Sequence, residues 1–256
     1  MLCCEKLLST TLGFIFLLPA TTVICSSKNN IHETILSASG TIFCDGFIRG
    51  SGLHIDKSTR NSSIIMTAAH VMYDKTSDDL FEQCSYRPNN MRLQAASFAD
   101  ISMHGYTPHD RDKIKQSEND IAFVALSRQL SQPSFHLSKR SANLKQINSS
   151  QVLKIIRYND TKNQIEVSKE CGFVRSPKFN SNFLIFHDCP TGPGASGASI
   201  IDTSHVKLIG IHGGTLLFHS NDLSPGKTRD TSRLRQGRII DEQILTLLEE
   251  FKSSLR

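Results

Sequence analysis

No CxxC and no HxxxH spacing occurs in this chain, although it holds seven cysteines and ten histidines. Zinc-binding chains bring their ligands together at such spacings, so neither a metal site nor any other cofactor is expected. Beyond the first segment no apolar run is long enough to cross a bilayer, and no repeat or low-complexity tract is present. The excess of one sign of charge is small too. The formal charge of +5 is spread along the chain, densest from Lys227 to Arg238, and nucleic-acid binding is not expected. Long amphipathic helices are missing between the apolar runs, which argues against a parallel α/β sheet. The pentapeptide Gly194 to Ala198 ends in alanine, so it is not the GxSxG elbow of an α/β-hydrolase.

What is there describes an exported globular protein. Across 256 residues, 38% are hydrophobic and 21% charged, enough to bury a core in one large domain or two packed small ones. Leu7 to Leu18 (LLSTTLGFIFLL) is an apolar run behind a short head carrying Lys6 and ahead of Pro19. That is the layout of a signal peptide over residues 1–25, with cleavage after Cys25. A mature domain of 26–256, secreted or periplasmic and with no membrane span of its own, is the expectation. Ile24 is too large for a lipobox. Cys44, Cys84, Cys171 and Cys189 then remain, and in an oxidising compartment they can form two bridges by any of three pairings.

Short apolar runs alternate with polar turns. Strands are expected at Gly40 to Phe47, Gly50 to Ile55, Ser63 to Met66, Ile121 to Leu126, Val152 to Tyr158, Gln164 to Val167, Asn182 to His187, Ser199 to Ile201 and Val206 to His212. The pattern indicates an all-β sandwich or barrel pair, with 129–150 as a polar crossover between halves. One helix is expected, over Ile239 to Leu255, where apolar residues recur with period 3.6 and Asp241 and Glu242 suit the first turn.

Most histidines need no function: His32, His104, His109, His136 and His219 sit among polar residues and are expected to be exposed. His70 differs. It ends IIMTAAH, where a β-type run meets two alanines that would let a helical turn begin close against the strand. Asp120 stands directly before the buried-type run IAFVAL, as a strand-end carboxylate or as the acceptor of an imidazole Nδ1–H. Ser196 lies in GASGAS, and Gly194 lets its own N–H and that of Ser196 converge on one point, an oxyanion hole. Each feature has a bland reading as a turn or core residue. Together, in the order His, Asp, Ser, they form a nucleophilic triad with a base and its orienter.

TAAH (Thr67 to His70), NDIAFVAL (Asn119 to Leu126), HDCPTGPGASGAS (His187 to Ser199) and IGIHGG (Ile209 to Gly214) resemble the trypsin-like serine proteases, most nearly the glutamyl endopeptidase branch. The resemblance implies two perpendicular six-stranded β-barrels, about 37–128 and 151–256 with the C-terminal α-helix, and a cleft between them. It implies His70 as general base, Asp120 as its orienter, Ser196 as nucleophile, and Gly194 and Ser196 as oxyanion donors. Pro190, Thr191, His212, Gly213 and Gly214 would line the pocket for the side chain before the scissile bond. No acid stands there, so an Arg or Lys preference is not implied; His212 and the Thr191 hydroxyl could hold a carboxylate, or His212 could belong to the fold. Ala195 replaces the aspartate that digestive enzymes use in zymogen activation. Val71 follows His70 where those enzymes carry a cysteine, so Cys44–Cys84 and Cys171–Cys189 are the implied bridges. The expected protein is a monomeric serine endopeptidase acting on proteins or peptides. Two alternatives compete: an HtrA-like quality-control protease, which would need room for a PDZ domain, and a silent binding module on the same fold.

Overall fold

Every residue of Ser63–Thr67 (SIIMT) and Ala122–Leu126 (AFVAL) is buried, which requires protein on both faces of each strand. A closed barrel with a packed exterior meets that requirement. The computed structural model describes residues 31–57, 61–89, 92–137, 151–175, 181–219 and 231–255. The expected signal segment and most of the crossover, 138–150, lie outside the described residues.

The N-terminal half runs from helix α1 (Ile31–Ala38) through β1 (Ser39–Cys44), β2 (Phe47–Lys57), β3 (Ser63–Thr67), β4 (Tyr73–Asp74), β5 (Asp79–Leu80), β6 (Cys84–Pro88) and β7 (Ala96–Ser102). Helix α2 (Lys113–Glu118) and β8 (Ala122–Leu126) complete it. Strands β1, β2, β3, β8, β7 and β6 close in that order into a six-stranded barrel, and β4 and β5 form a small separate pair. The C-terminal half contains β9 (Val152–Asn159), β10 (Gln164–Val167), β11 (Cys171–Gly172), β12 (Leu184–His187), β13 (Ser199–Asp202), β14 (Lys207–His219), β15 (Thr231–Ile239) and helix α3 (Glu242–Ser254). Its seven-stranded antiparallel sheet follows the order β10, β9, β13, β14, β15, β12, with β11 against β9. Among the described residues one isolated bridge, Phe173 to His187, joins the β11 edge to β12 and brings the sheet round upon itself. The mostly β architecture with a terminal helix is as expected, and among the described residues the second half closes through that one bridge.

Several boundaries differ from the sequence reading for local reasons. The expected strand Gly40 to Phe47 is broken by a hairpin turn at Asp45 and Gly46, whose φ values of 51° and 80° suit the Asp-Gly pair. β6, β7 and β15 were not expected because polar or charged residues fill many of their positions. The basic run ending at Arg238 contains β15. The last helix begins at Glu242, not Ile239: Asp241 caps it, its Oδ1 accepting the Ile244 N–H at 3.0 Å. Arg238, 2% exposed, donates to the Glu118 carbonyl, to the Ile239 carbonyl and to Asp241, which ties α2, β15 and α3 together.

One core spans both halves. Leu53, Ile64 and Phe123 of the barrel, Ile156 and Ile211 of the second sheet, and Ile244, Leu248 and Phe251 of α3 belong to a single cluster. The rings of Phe123 and Phe251 stack at 6.3 Å. Side chains of this size contribute about 1.5–3 kcal/mol each when fully buried, so the terminal helix helps hold the two halves in register.

Candidate active site

The residues after β3 explain how His70 is placed. Ala68 and Ala69 are fully buried, and a 3-10 turn over Ala69–Met72 starts against the barrel wall because neither alanine projects a bulky side chain. Asp120 follows α2 and its cap residue Asn119, and only 4% of it is exposed. Its two oxygens divide the work. Oδ1 accepts the His70 backbone N–H at 2.9 Å, and Oδ2 accepts the His70 Nδ1–H at 2.7 Å. That arrangement leaves Nε2 unprotonated and facing outward.

Ser196 comes to meet it from the other half. Its loop is bent by Gly194 and Gly197, with φ of +78° and +80°. Neither position tolerates a side chain: an added Cβ would lie 2.7 Å from the Tyr158 ring at Gly194 and 2.1 Å from the Ser51 carbonyl at Gly197. Between them Ser196 points its Oγ to within 2.7 Å of His70 Nε2. The Gly197 N–H donates to the His212 carbonyl and the Ala195 N–H to Gly192, whereas among the described residues the N–H groups of Gly194 and Ser196 have no acceptor. The structure thus brings His70, Asp120, Ser196 and Gly194 together.

Ser51 was missed by the sequence reading. Its N–H donates to the Ser196 carbonyl at 2.7 Å, its Oγ donates to the Gly194 carbonyl at 2.8 Å, and the same Oγ accepts the Tyr158 N–H at 2.9 Å. One buried hydroxyl on the barrel therefore clamps the serine loop of the opposite half. Only a resemblance extending into SGLHI could have hinted at it.

Electrostatics separate the histidines. Burial works to lower the His70 pKa, but the Asp120 charge and its hydrogen bond together outweigh burial and raise it above the ordinary value. His187 and His212, joined by a 3.1 Å Nε2–Nδ1 hydrogen bond, go the other way. Burial pushes His187 down to about 3, helped by the charge of Arg235. Burial, then His187 and His70, holds His212 well below the usual range. In the substrate-free protein both imidazoles are therefore held neutral near neutral pH.

Of the other expected pocket residues, Pro190 is exposed, Thr191 and Gly214 are half-buried, and Gly213 sits so close to the triad that an added Cβ would lie 2.9 Å from Asp120 Oδ2. Arg235 of β15, absent from the sequence reading, donates its Nε–H to Thr191 Oγ at 2.9 Å. Cys44 is bonded to Cys84 and Cys171 to Cys189. His32 and His104 are corrections: both are half-buried rather than exposed, and the His104 ring lies edge-on to Phe123 at 5.1 Å. The side chain of His219 lies outside the described residues. Among those residues no cluster suits a metal ion, and no helix is long and apolar enough to cross a membrane.

A profile of the trypsin-like peptidase domain matches residues 46–211, more than half of the chain. The chain belongs to the trypsin-like peptidase family. No curated sequence matches it. Among solved structures, a Glu endopeptidase in complex with MPD is similar at 16% identity over 85% of this chain and 91% of that one, with a TM-score of 0.60. Kallikrein-related peptidase 10 is similar at 15% identity over 86% and 98%, TM-score 0.56. Neuropsin, a serine protease expressed in the limbic system of mouse brain, gives 12% identity over 85% and 96%, TM-score 0.58. At these identities the likeness is one of fold. The family match makes this trypsin-like peptidase a serine-type endopeptidase that acts on peptide substrates.

Proposed function

We infer that this protein is an exported serine endopeptidase in which Ser196 is the nucleophile, His70 the general base and Asp120 its orienter. The observation that carries this is the unbroken chain of two 2.7 Å hydrogen bonds from Ser196 Oγ through the His70 ring to Asp120. In the first step the Ser196 oxygen attacks the substrate carbonyl carbon while its proton passes to His70 Nε2. The developing oxyanion takes hydrogen bonds from the Gly194 and Ser196 N–H groups, which lie ready because their loop is bent by glycines. His70 then returns the proton to the departing amine, leaving an acyl-enzyme that a water molecule, deprotonated by the same nitrogen, hydrolyses. Two disulfides suit an oxidising compartment, in agreement with export after cleavage of residues 1–25. In this reading Pro190, Thr191, His212, Gly213 and Gly214 form the pocket next to the scissile bond. With no acid among them an Arg or Lys preference is not favoured, and the Thr191 hydroxyl and His212 ring can donate hydrogen bonds to an acidic side chain there.

The experiment is labelling by a fluorophosphonate, which forms a bond only with an activated serine. Stoichiometric labelling of the wild type, absent in Ser196→Ala, together with cleavage of a peptide library, is the expected result. A folded wild type that neither labels nor cleaves would be a silent member of the family.

A further inference from the structure

The register of β15 puts three basic side chains on one face of the second sheet. His187 of β12 lies opposite Arg235, and His212 of β14 lies opposite Gly237. Directly opposed residues share a face, as do residues two apart on one strand, so His187, His212 and Arg235 rise together, with exposed Arg233 further along. The contacts agree with this placement. The His187 and His212 rings meet edge-on at 5.1 Å, and Arg235 reaches Thr191, which lies on the loop that leads to Ser196.

Three such groups cannot all be charged in one partly buried place. The two imidazoles shed their protons, as described above; a guanidinium does not. His212 is moreover committed inside the protein, to His187 and to the backbone of Gln236. Arg235 is the group that keeps its charge. Among the described residues Arg157 pairs with Glu166 and Arg238 with Asp241, but Arg235 has no carboxylate partner. Asp188 meets Arg235 through its backbone carbonyl, while its carboxylate Oδ1 accepts the Gly172 N–H at 2.6 Å, and Asp120 holds His70. Arg235 spends its Nε–H on Thr191 and one Nη1–H on the Asp188 carbonyl at 3.2 Å, and further Nη hydrogens remain. The Thr191 oxygen accepts from Arg235, so its own hydrogen is free to be donated.

We propose that Arg235, together with the Thr191 hydroxyl, receives the carboxylate of a glutamate or aspartate side chain on the N-terminal side of the scissile bond. The inference rests on the serine endopeptidase reading above and names the residue that sets its specificity. His187 and His212 serve as a neutral wall that excludes water beside the ion pair, which strengthens it. Because a guanidinium stays charged throughout, the preference for glutamate over glutamine is independent of pH wherever the substrate carboxyl is ionised.

Paired glutamate and glutamine peptides, identical elsewhere, test this. The ratio of their kcat/KM values in the wild type is expected to favour glutamate and to stay level from about pH 6 to 9, falling only toward the titration of the substrate carboxyl near about 4.3. Arg235→Gln should lower that ratio by about tenfold or more, the size expected on losing a charge-assisted hydrogen bond, and Arg235→Lys should keep part of it. An unchanged ratio in Arg235→Gln overturns the proposal, as does a wild-type ratio near one. A ratio that falls between pH 6 and 8 also overturns it, because a titrating histidine would then be the reader. Fluorophosphonate labelling of each variant reports separately whether the folded triad survives, and a wild type that fails to label removes the underlying reading instead. Should Arg235→Gln fail to fold, the wild-type pH profile still decides.

Discussion

In the N-terminal half the His70 ring faces a carboxylate, whereas in the C-terminal half His187 and His212 face each other and an arginine. The barrel half is closed by continuous ladders and supplies the base and its orienter on short, tightly held connections. The other half closes, among the described residues, through one bridge and supplies the loop that carries Ser196. Burial acts alike on all three histidines. The difference lies in the partner: Asp120 outweighs burial at His70 and keeps a proton on an imidazole that must cycle, whereas at His187 and His212 burial prevails, with smaller help from neighbouring positive groups. A buried histidine in this molecule stays neutral by its depth unless a carboxylate stands beside it.

The largest effect breaks the barrel half's contribution. Asp120→Asn keeps the shape of the carboxylate but can leave the wrong imidazole nitrogen protonated, and kcat is expected to fall about 10,000-fold. Ser196→Ala should lose at least as much, and the double variant scarcely more than either single one, since the members act as a unit. Near-normal turnover in Ser196→Ala would falsify the assignment of the nucleophile.

A pH profile sharpens the same contrast. His70 must be neutral to accept the serine proton, and its pKa is raised, so kcat/KM should fall on the acid side of a limb lying above about 6.5, the value of a free imidazole. Replacing Lys75 by Met removes a charge that works to lower the His70 pKa, and the limb should move further up. A limb that stays put would mean that a different group controls the rate.

Stability should show the opposite sign in the opposite half. His187 is neutral when folded and its pKa is depressed to about 3, so the unfolded chain takes up a proton below about 6.5 that the folded chain refuses. Folding stability from this residue is fully present above that pH and is lost as pH falls. By linkage the loss amounts to roughly 3 kcal/mol at pH 4, and His212 acts in the same direction. Denaturant midpoints for His187→Asn, measured at pH 7 and pH 4, should differ less than those of the wild type. His70, with its raised pKa, contributes stability below about 6.5 that is lost as pH rises through its folded value. An acid transition unaltered by His187→Asn would assign the sensitivity elsewhere.

Backbone requirements at the serine loop give a smaller effect. Gly194→Ala meets both a positive φ and the Tyr158 ring, and a loss of roughly 1–3 kcal/mol in stability is expected, with slower acylation as the oxyanion donors shift. Gly214→Ala tests the strain alone: its φ is +135° but the added methyl would meet open space.

The triad was legible because each member sits in a local pattern whose chemistry is short-range: small residues before His70, an acid at the mouth of a buried strand, glycines around Ser196. Arg235 was not, because a basic run reads as solvated surface until the register of β15 turns alternate arginines to opposite faces. Arg238 ends up buried and Arg235 beside Thr191 for that reason alone. Ser51 was equally silent, since its partners Gly194, Ser196 and Tyr158 all belong to the other half. The Asp45-Gly46 turn did carry a signal, overridden by the apolar residues on either side. Pairing of the cysteines came through family likeness, and spacing by itself left it open.

The finest distinction between the halves lies in their disulfides. Cys44–Cys84 joins neighbouring barrel strands across a sequence separation of 40, and Cys171–Cys189 ties β11 to the start of the serine loop across 18. In the chain-entropy account a longer loop confers more stability, but only logarithmically: roughly 4 kcal/mol against roughly 3. The two should therefore differ by less than about 1 kcal/mol in equilibrium unfolding. Activity should rank them in reverse. Cys189 is buried directly before Pro190 and Thr191, so freeing it loosens the segment that carries the pocket and leads on to Ser196. Cys44 lies instead behind the turn that carries His70, its Sγ 4.0 Å from the Val71 carbonyl. Replacing Cys44 and Cys84 together by serine should cost slightly more in denaturant midpoint and little in kcat/KM, and replacing Cys171 and Cys189 together should do the converse. Equal losses of activity in the two double variants would mean that the serine loop is held by Ser51 and the glycine geometry alone, with no help from the bridge at its base.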